Sequence, residues 1–337
     1  MHHGGFRSSM YADNFWSGRN VFITGATGLL GSWLTNEIVT KKANVVCLVR
    51  DELINTNFDV LRLKDKVTII NGDVENLSLV LRSLNEYEIN TIFHLAAQTI
   101  VGTANKSPLS TFETNIKGTW NILESARDLD TERVIIASSD KAYGSHEKLP
   151  YTEDAKLTGS HPYDVSKSCA DLIAQAYYKT YGLPVGITRC GNIYGGGDLN
   201  FSRIIPGTIN SIMENQPPII RSDGKYIRDY FYVKDAVNSY LVLAEKLLEE
   251  GITGEAFNFG TENPISVLKL VEMIINLSGK RDITPKILNG VHNEIKEQYL
   301  SCEKARTLLN WKPKYTLHDG LKETYNWYEE YFQRKLC

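Results

Sequence analysis

The run Tyr163-Asp-Val-Ser-Lys167 holds the two side chains of this 337-residue chain whose types and spacing most directly suggest chemistry. On a helix, residues four apart lie on the same face, so the phenol and the amine would be neighbours. A nearby ammonium group stabilises a phenolate, and lowering the pKa of a tyrosine from about 10 takes about 1.4 kcal/mol per unit. The run therefore predicts a tyrosine base for a hydroxyl group near neutral pH. The same spacing also arises by chance on helix surfaces, so the prediction needs support from the rest of the chain.

A second reactive cluster, Ser139-Asp140-Lys141, follows the apolar run Val134-Ile-Ile-Ala-Ser138. The apolar run predicts a buried β-strand, which brings the cluster to the carboxyl end of that strand. Ligands of open parallel sheets bind at this edge. Asp140 and Lys141 are therefore either an acid and a base that act on a ligand or an ion pair at the end of a strand.

A glycine-rich turn provides a place for a phosphate-containing cofactor. The segment Val21-Phe-Ile-Thr-Gly25-Ala-Thr-Gly28-Leu-Leu-Gly31 is an apolar β-run that ends in spaced glycines and continues as a helix. Gly25 allows the tight turn, Gly28 lets backbone approach a pyrophosphate, and Gly31 lets the helix lie close to the strand. The amides at the helix start then face the phosphates. We expect NAD or NADP here; the alternative is a plain strand-to-helix connection. The predicted contacts in this turn are Gly25, Thr27, Gly28, Leu29, Leu30 and Gly31.

The ends of the second and third strands indicate where the adenosine would bind. Arg50-Asp51 lies about twenty residues after the glycine turn, where an acidic residue suits the ribose of NAD and an arginine suits the 2′-phosphate of NADP. Arg50 lies nearer the strand end, which favours NADP slightly; the alternative is a solvated pair. Asp73 is either an acceptor for the adenine amino group or the N-cap of the next helix. The remaining predicted cofactor contacts are Val74, Leu95, Ala96, Ala97, Tyr163 and Lys167.

The elements that must position these residues alternate between apolar β-runs and amphipathic helical runs. The predicted strands are 20–24, 45–49, 67–70, 91–95, 133–137 and 185–188, and the predicted helices are 29–41, 77–84, 109–127, 162–181, 233–248, 267–277 and 319–332. This alternation predicts an α/β fold, a doubly wound parallel Rossmann sheet with helices on both faces. We divide the chain into a leader (1–18), a dinucleotide-binding domain (19–190) and a smaller mixed α/β substrate-binding domain (191–337), with some segments of the last returning to the sheet.

Composition and charge argue against several classes of protein. Lys and Arg number 37 and Asp and Glu 40, a net charge of -3, so the basic excess typical of nucleic-acid binding is missing. No apolar run approaches the roughly 18 residues of a membrane helix, and the first ten residues lack the apolar stretch of a secretory signal. The five cysteines form no CxxC-like pair and the seven histidines form no metal-spaced cluster. We expect free thiols, a cytoplasmic location and no metal.

Several motifs occur in a fixed order along the chain. They are Thr24-Gly-Ala-Thr-Gly-Leu-Leu-Gly31, His94-Leu-Ala-Ala-Gln98, Asn115-Ile-Lys-Gly-Thr119, Tyr163-x-x-x-Lys167, Gly191-Asn192-Ile-Tyr-Gly195, Arg228-Asp-Tyr-Phe-Tyr-Val-Lys-Asp235 and Leu309-Asn-Trp-Lys-Pro313. In these motifs the chain resembles the extended short-chain dehydrogenase/reductase superfamily from residue 21 to about residue 331. The resemblance implies a Rossmann domain, a small nucleotide-sugar domain, and a homodimer formed through helices 109–127 and 162–181.

Within this superfamily, the residues after the catalytic serine discriminate between reactions. Epimerases usually carry small or hydroxyl residues there, whereas sugar-nucleotide 4,6-dehydratases carry an acid followed by a base. Asp140-Lys141 resembles the CDP-glucose 4,6-dehydratases, although their usual Gly-Phe-Lys-Gly loop is Gly28-Leu-Leu-Gly31 here. The resemblance implies a lyase that oxidises C4 of an NDP-hexose, eliminates water across C5 and C6, and returns the hydride to C6.

The resemblance also implies a role for each reactive side chain. Tyr163 would take the 4-hydroxyl proton with help from Lys167 and the oxidised nicotinamide, and Ser139 would hold the 4-oxygen. Asp140 would protonate the departing 6-hydroxyl and must therefore be protonated, and Lys141 would remove the C5 proton and must be neutral. The alternatives are a 4-epimerase on the same scaffold and a non-catalytic cofactor sensor. A sensor needs none of the catalytic residues, which argues against it.

Substrate-binding residues are predicted in two parts of the chain. Gln98 and Thr99 follow the fourth strand and either touch the nicotinamide ribose or the sugar, or form a polar turn. A guanidinium group can bond two pyrophosphate oxygens at once. The candidates in the second half are Asn192, Arg203, Arg221 and Arg228, of which Arg228 matches the family position best. Arg203 and Arg221 are either substrate-binding residues or surface residues. Related epimerases often have an arginine before the Lys-Ala pair near the C-terminus; segment 297–305 lacks it, which argues against a uridine nucleotide.

Overall fold

The computed structural model describes residues 15–51, 54–290 and 295–336. The strands of this part are β1 (Asn20–Thr24), β2 (Asn44–Val49), β3 (Thr68–Asn71), β4 (Thr91–His94), β5 (Arg133–Ala137), β6 (Val185–Cys190), β7 (Asn192–Tyr194), β8 (Ile219–Ile220), β9 (Ile227–Arg228), β10 (Tyr230–Tyr232), β11 (Ala256–Phe259), β12 (Ile265–Ser266), β13 (Lys286–Ile287) and β14 (Glu297–Gln298).

The α-helices of the same part are α1 (Leu29–Thr40), α2 (Asn57–Val60), α3 (Leu77–Glu86), α4 (Val101–Lys106), α5 (Pro108–Phe112), α6 (Gly118–Asp128), α7 (Pro162–Tyr181), α8 (Ile204–Met213), α9 (Val233–Lys246), α10 (Val267–Ser278), α11 (Glu303–Leu309) and α12 (Leu317–Leu336). A π turn spans Glu113–Lys117 and a 3-10 turn spans Asp140–Tyr143. Among the described helices, none has the length and hydropathy that crossing a membrane requires.

Seven parallel strands form the central sheet in the order β3-β2-β1-β4-β5-β6-β11. The side chains of alternate residues of β1 lie on opposite faces of the sheet. Val21 and Ile23 pack with α1 and α9 on one face, and Phe22 packs with α3 and α6 on the other. A strand covered on both faces reads as an unbroken apolar run, which is why these strands could be located from the sequence. The predicted α/β Rossmann fold is confirmed. The strand order reverses between β1 and β4, and such a switch point opens a crevice at the carboxyl edge.

The helix predicted at 109–127 needs a correction. The structure has α5, then the π turn, then α6, along one helical path. The wide turn carries Asn115 inward, where its side chain bonds the backbone of Gln98 and the hydroxyl of Ser166. Turns of this kind are often found at functional sites. A periodicity argument does not detect the extra residue because apolar positions continue on both sides of it.

The N-terminal boundary also needs a correction. Residues 1–14 of the predicted leader lie outside the described residues, but Trp16 is fully buried beside Phe93, and its indole N–H donates to Glu245 Oε1 at 2.6 Å. Phe15 stacks under the guanidinium group of Arg19. Phe15 and Trp16 therefore pack with the folded core, although both lie within the predicted leader.

The second half builds a smaller layer over the carboxyl edge. Its short sheets pair β7 with β10, β9 with β12 and β14, and β8 with β13, while β11 returns to the central sheet. Helices α8, α10 and α12 share an apolar core with these strands. Helix α8 was missed because Pro206 and Gly207 suggested a loop. Pro206 lies in the first turn, where a helix does not use the N–H group that proline lacks.

Candidate active site

A cavity of about 960 Å³ lies between the carboxyl edge of the sheet and the C-terminal layer. All predicted cofactor-binding and catalytic residues line it, as do Thr99, Asn192, Arg203, Arg221 and Arg228. Gln98 is the exception among the predicted site residues, because its side-chain Oε1 turns back to accept a hydrogen bond from the N–H of Ile100 at 2.9 Å. The structure thus brings the three motifs of the sequence to one place.

The glycine turn has the close contacts that a dinucleotide site requires. Gly25 has φ +72°, and a Cβ there would lie 2.8 Å from the backbone nitrogen of Ala96. A Cβ on Gly31 would overlap the carbonyl oxygen of Gly25. Gly28 caps α1 without any side-chain hydrogen bond, so the first-turn amides of α1 remain available to a ligand at the cavity wall. This cradle fits a pyrophosphate.

We expect Gly31→Ala to weaken dinucleotide binding at least tenfold and to cost about 1–3 kcal/mol of stability, because the new methyl group must push the turn out of shape. Calorimetric titration with NAD and NADP, together with thermal unfolding, measures both effects. Gly102→Ala is the matched control, since its Cβ would meet no atom within 4 Å. Unchanged affinity in Gly31→Ala would contradict the assignment of this turn.

At the adenosine end, Arg50 Nε and Asp51 Oδ2 are 2.7 Å apart, and both side chains are more than half exposed. Asp73 lines the cavity and accepts a hydrogen bond from the N–H of Glu75 at 3.0 Å. The N-cap of α3 is Asn76, whose side chain accepts from the N–H of Leu79. The N-cap alternative for Asp73 is therefore wrong.

The pKa of Tyr163 in the tyrosine–lysine pair is raised, whereas the sequence predicted that it would be lowered. Burial raises the pKa of Tyr163 to about 12, against a smaller lowering by the Ser139 hydroxyl. Lys167 Nζ donates to the carbonyl oxygen of Ala137 at 2.8 Å, and burial lowers the pKa of Lys167 to about 8. The expectation that Lys167 lowers the pKa of Tyr163 is not met by the protein groups alone. Further positive charge at the cavity is needed to make a phenolate near neutral pH.

Asp140 and Lys141 form a close pair on the cavity wall. Asp140 Oδ2 lies 3.4 Å from Lys141 Nζ, and Asp140 Oδ1 accepts from the Ser139 hydroxyl at 3.1 Å. The Asp140 side chain is 4% exposed. Burial lowers the pKa of Lys141; the negative charge of Asp140 opposes this effect and the positive charge of Arg228 adds to it. An amine whose ammonium form is disfavoured in this way can act as a base.

The predicted substrate residues form the wall on the C-terminal side. Arg203 Nη1 pairs with Asp198 Oδ2 at 2.9 Å, and Arg203 Nη2 donates to the Thr99 hydroxyl at 3.2 Å. Arg228 donates to the carbonyl oxygens of Ile295 and Lys296, at 2.5 and 3.0 Å. Both guanidinium groups therefore hold loops of the wall as well as presenting positive charge to the cavity.

Two buried amides were missed by the sequence reasoning. Asn115 stood in a quoted motif but had no assigned role. Gln298 lies on β14 and is fully buried; its Oε1 accepts from Lys141 Nζ, and its Nε2 donates to the Asp140 carbonyl oxygen at 2.9 Å. No signal in the sequence could have found Gln298, because it is separated from Lys141 by 157 residues in the chain.

A parallel Rossmann sheet, a glycine turn and a tyrosine–lysine pair at one cavity together define an extended short-chain dehydrogenase/reductase. The chain belongs to the family described as GDP-mannose 4,6 dehydratase, whose model matches residues 22–324.

Similar proteins include both dehydratases and epimerases. The CDP-glucose 4,6-dehydratase of Salmonella typhimurium is 31% identical over 96% of this chain and 94% of its own length. A UDP-glucuronate 4-epimerase of Thermodesulfobacterium geofontis is 29% identical over 91% and 95%, respectively. Among solved structures, a dTDP-glucose 4,6-dehydratase of Bacillus anthracis in complex with NAD matches with a TM-score of 0.81 at 28% identity, over 93% and 97% of the two chains. Because the similar proteins catalyse two different reactions, the residues of the active site must distinguish a dehydratase from an epimerase.

Proposed function

We propose that the protein is a nucleotide-sugar 4,6-dehydratase that converts an NDP-hexose, with CDP-glucose favoured, to the NDP-4-keto-6-deoxyhexose. The observation that carries the proposal is the pair of buried Asp140 and partly exposed Lys141, beside Ser139 and Tyr163 in one cavity. The similarity to the Salmonella CDP-glucose 4,6-dehydratase supports the same reaction and nucleotide.

A bound nicotinamide dinucleotide would accept a hydride from C4 and return it to C6. Tyr163 takes the proton of the 4-hydroxyl, and Ser139 hydrogen-bonds the 4-oxygen. Tyr163 ionises with help from positive charge, which Lys167 and an oxidised cofactor would supply. The resulting 4-ketone acidifies the C5 proton, which prepares the elimination.

The acid–base pair can carry out the elimination without an outside proton. Lys141 as a neutral amine takes the C5 proton, and Asp140 as a carboxylic acid protonates the departing 6-hydroxyl, which leaves as water. The pair then becomes an ammonium and a carboxylate, the ion pair that its 3.4 Å contact suits. Lys141 later returns its proton to C5. The 4-hydroxyl proton on Tyr163 can restore Asp140 through Ser139, whose hydroxyl donates to Asp140 Oδ1.

For the cofactor, we propose NAD or NADP, with Arg50 as the residue that would recognise the 2′-phosphate of NADP. Arg50 pairs with Asp51 at 2.7 Å, and both exposed side chains can turn towards a ribose or a phosphate. The similar Bacillus anthracis protein binds NAD. For the substrate, we propose that Arg228 bonds the pyrophosphate, with Asn192, Arg203, Arg221 and Thr99 on the same wall.

We also propose that two copies associate through α5–α6 and α7. These helices expose large apolar side chains to solvent: Leu109 is 72% exposed, Leu172 53% and Tyr181 60%. Trp120 adds a half-exposed ring on α6. Such side chains on adjacent helices are typical of a helix-bundle interface.

The second candidate is an NDP-sugar 4-epimerase, favoured by the ion-pair contact between Asp140 and Lys141 and by the similar Thermodesulfobacterium epimerase. An epimerase needs Tyr163, Lys167 and Ser139 but no acid–base pair at C5 and C6.

Incubation with CDP-, dTDP-, GDP- and UDP-glucose separates the two candidates. We expect a product from CDP-glucose that absorbs near-ultraviolet light in alkali, as 4-keto-6-deoxy sugars do. An NDP-galactose product without this absorbance would favour the epimerase. Failure of all four sugars to give a keto product would contradict the dehydratase proposal.

A further inference from the structure

Gln298 lies behind the acid–base pair, on β14 of the C-terminal layer. It is fully buried and is not among the residues that line the cavity, whereas Lys141 is. Its amide contacts both members of the pair: Oε1 accepts from Lys141 Nζ, and Nε2 donates to the backbone carbonyl of Asp140. A residue in this position can influence the pair but does not reach the substrate.

The orientation of the Gln298 amide is fixed by what it touches. A carbonyl oxygen can only accept, so the Asp140 carbonyl requires the NH₂ group, and the amide oxygen must face Lys141. A neutral amine has two N–H groups and one lone pair. Gln298 Oε1 accepts one of these N–H groups, and Asp140 Oδ2, 3.4 Å from Lys141 Nζ, can accept the other. The lone pair of Lys141 is then directed towards the cavity.

The strand that carries Gln298 is held firmly. Gln298 is the register partner of Arg228 on β9, and the guanidinium group of Arg228 donates to the carbonyl oxygens of Ile295 and Lys296 just before β14. The backbone of Tyr299, next along the chain, accepts a hydrogen bond from the N–H of Tyr151 at 3.0 Å. A side chain on so constrained a backbone keeps its place, which is what positioning a reactive group requires.

We propose that Gln298 is a positioning residue for the elimination: by accepting one N–H of Lys141, it aims the lone pair of the amine at C5 of the bound hexose. This inference rests on the proposed function. An uncharged acceptor suits the role, because a carboxylate there would favour the ammonium form of Lys141. An aliphatic side chain would leave both Lys141 and the Asp140 carbonyl without this partner.

Two variants of Gln298 test the proposal by the pH dependence of elimination. We expect Gln298→Glu to lower the elimination rate about tenfold near neutral pH, because its carboxylate raises the pKa of Lys141. The rate should return towards that of the wild type as the pH rises and Lys141 loses its proton. Gln298→Met should lose about 100-fold at every pH, because the amine is no longer aimed. The formation of reduced cofactor, which reports C4 oxidation, should be unchanged in both. Glu297→Gln, an exposed neighbour on the same strand, is the control.

A wild-type pH profile in Gln298→Glu, or a wild-type rate in Gln298→Met, would overturn the proposal. A measurement that needs no turnover distinguishes failure of this proposal from failure of the proposed function. Lys141 is acylated with an amine-directed reagent at a series of pH values, and mass spectrometry measures the extent of labelling. If no NDP-hexose gives a keto product, the proposed function fails. Even then, a labelling curve that shifts to higher pH in Gln298→Glu would support the control of Lys141 by Gln298. Identical labelling curves overturn it whatever the activity.

Discussion

Tyr163→Phe should stop the reaction at its first step and lower turnover by about 10²–10⁴-fold, because it removes the proposed base for the 4-hydroxyl proton. Binding of the dinucleotide should persist, since the loss is a single hydroxyl group. The measurement is the absorbance of reduced cofactor after mixing with CDP-glucose, which should stay flat. Tyr87→Phe, at an exposed tyrosine that ends α3 away from the cavity, is the control.

The pH dependence of this first step tests the charge balance around Tyr163. With burial as the largest cause, the protein raises the pKa of Tyr163 to about 12. The phenolate is present above its pKa, so C4 oxidation should rise with pH. When the positive cofactor is bound, we expect the midpoint of that rise to fall well below 12. A midpoint that stays near 12 with cofactor bound would contradict the claim that the positive charge of the cofactor makes the Tyr163 phenolate available near neutral pH.

Asp140→Asn should leave C4 oxidation intact and stop the elimination, with a loss in keto-deoxy product of about 10²–10⁴-fold. Asparagine keeps the size of the side chain and can accept from the Ser139 hydroxyl, but it cannot give a proton to the leaving group. Reduced cofactor should therefore accumulate on mixing with substrate, in contrast to Tyr163→Phe.

The control for this variant is Asp154→Asn, because Asp154 is an exposed carboxylate on the loop before α7. Formation of the keto-deoxy product by Asp140→Asn at the wild-type rate would remove Asp140 from the reaction. The pair would then be the structural ion pair that an epimerase could also contain.

The sheet and the cavity were accessible from the sequence because their signals are local. Buried parallel strands are continuous apolar runs, and the glycine turn and the tyrosine–lysine spacing each occupy a few consecutive residues. The rule that ligands bind at the carboxyl edge placed Ser139 at a ligand site, and the order of the motifs and the family resemblance assigned Tyr163 to the same site.

The features that were missed arise from contacts distant in sequence or from the environment. Gln298 reaches Lys141 from a two-residue strand too short for any periodicity. Trp16 looked like part of a leader because its burial depends on Phe93 and Glu245. The pKa of Tyr163 was expected to fall through Lys167 and the oxidised nicotinamide together, whereas the protein groups alone raise it, with burial of the phenol as the largest cause.

Deuterium at C4 of CDP-glucose tests the central claim most directly, because it follows the hydride itself. If the cavity oxidises C4, eliminates across C5 and C6, and returns the same hydride, the label must appear in the methyl group at C6 of the product. Nuclear magnetic resonance of the product locates it. Deuterium found still at C4, on a sugar of inverted configuration, would contradict the dehydratase account and identify an epimerase.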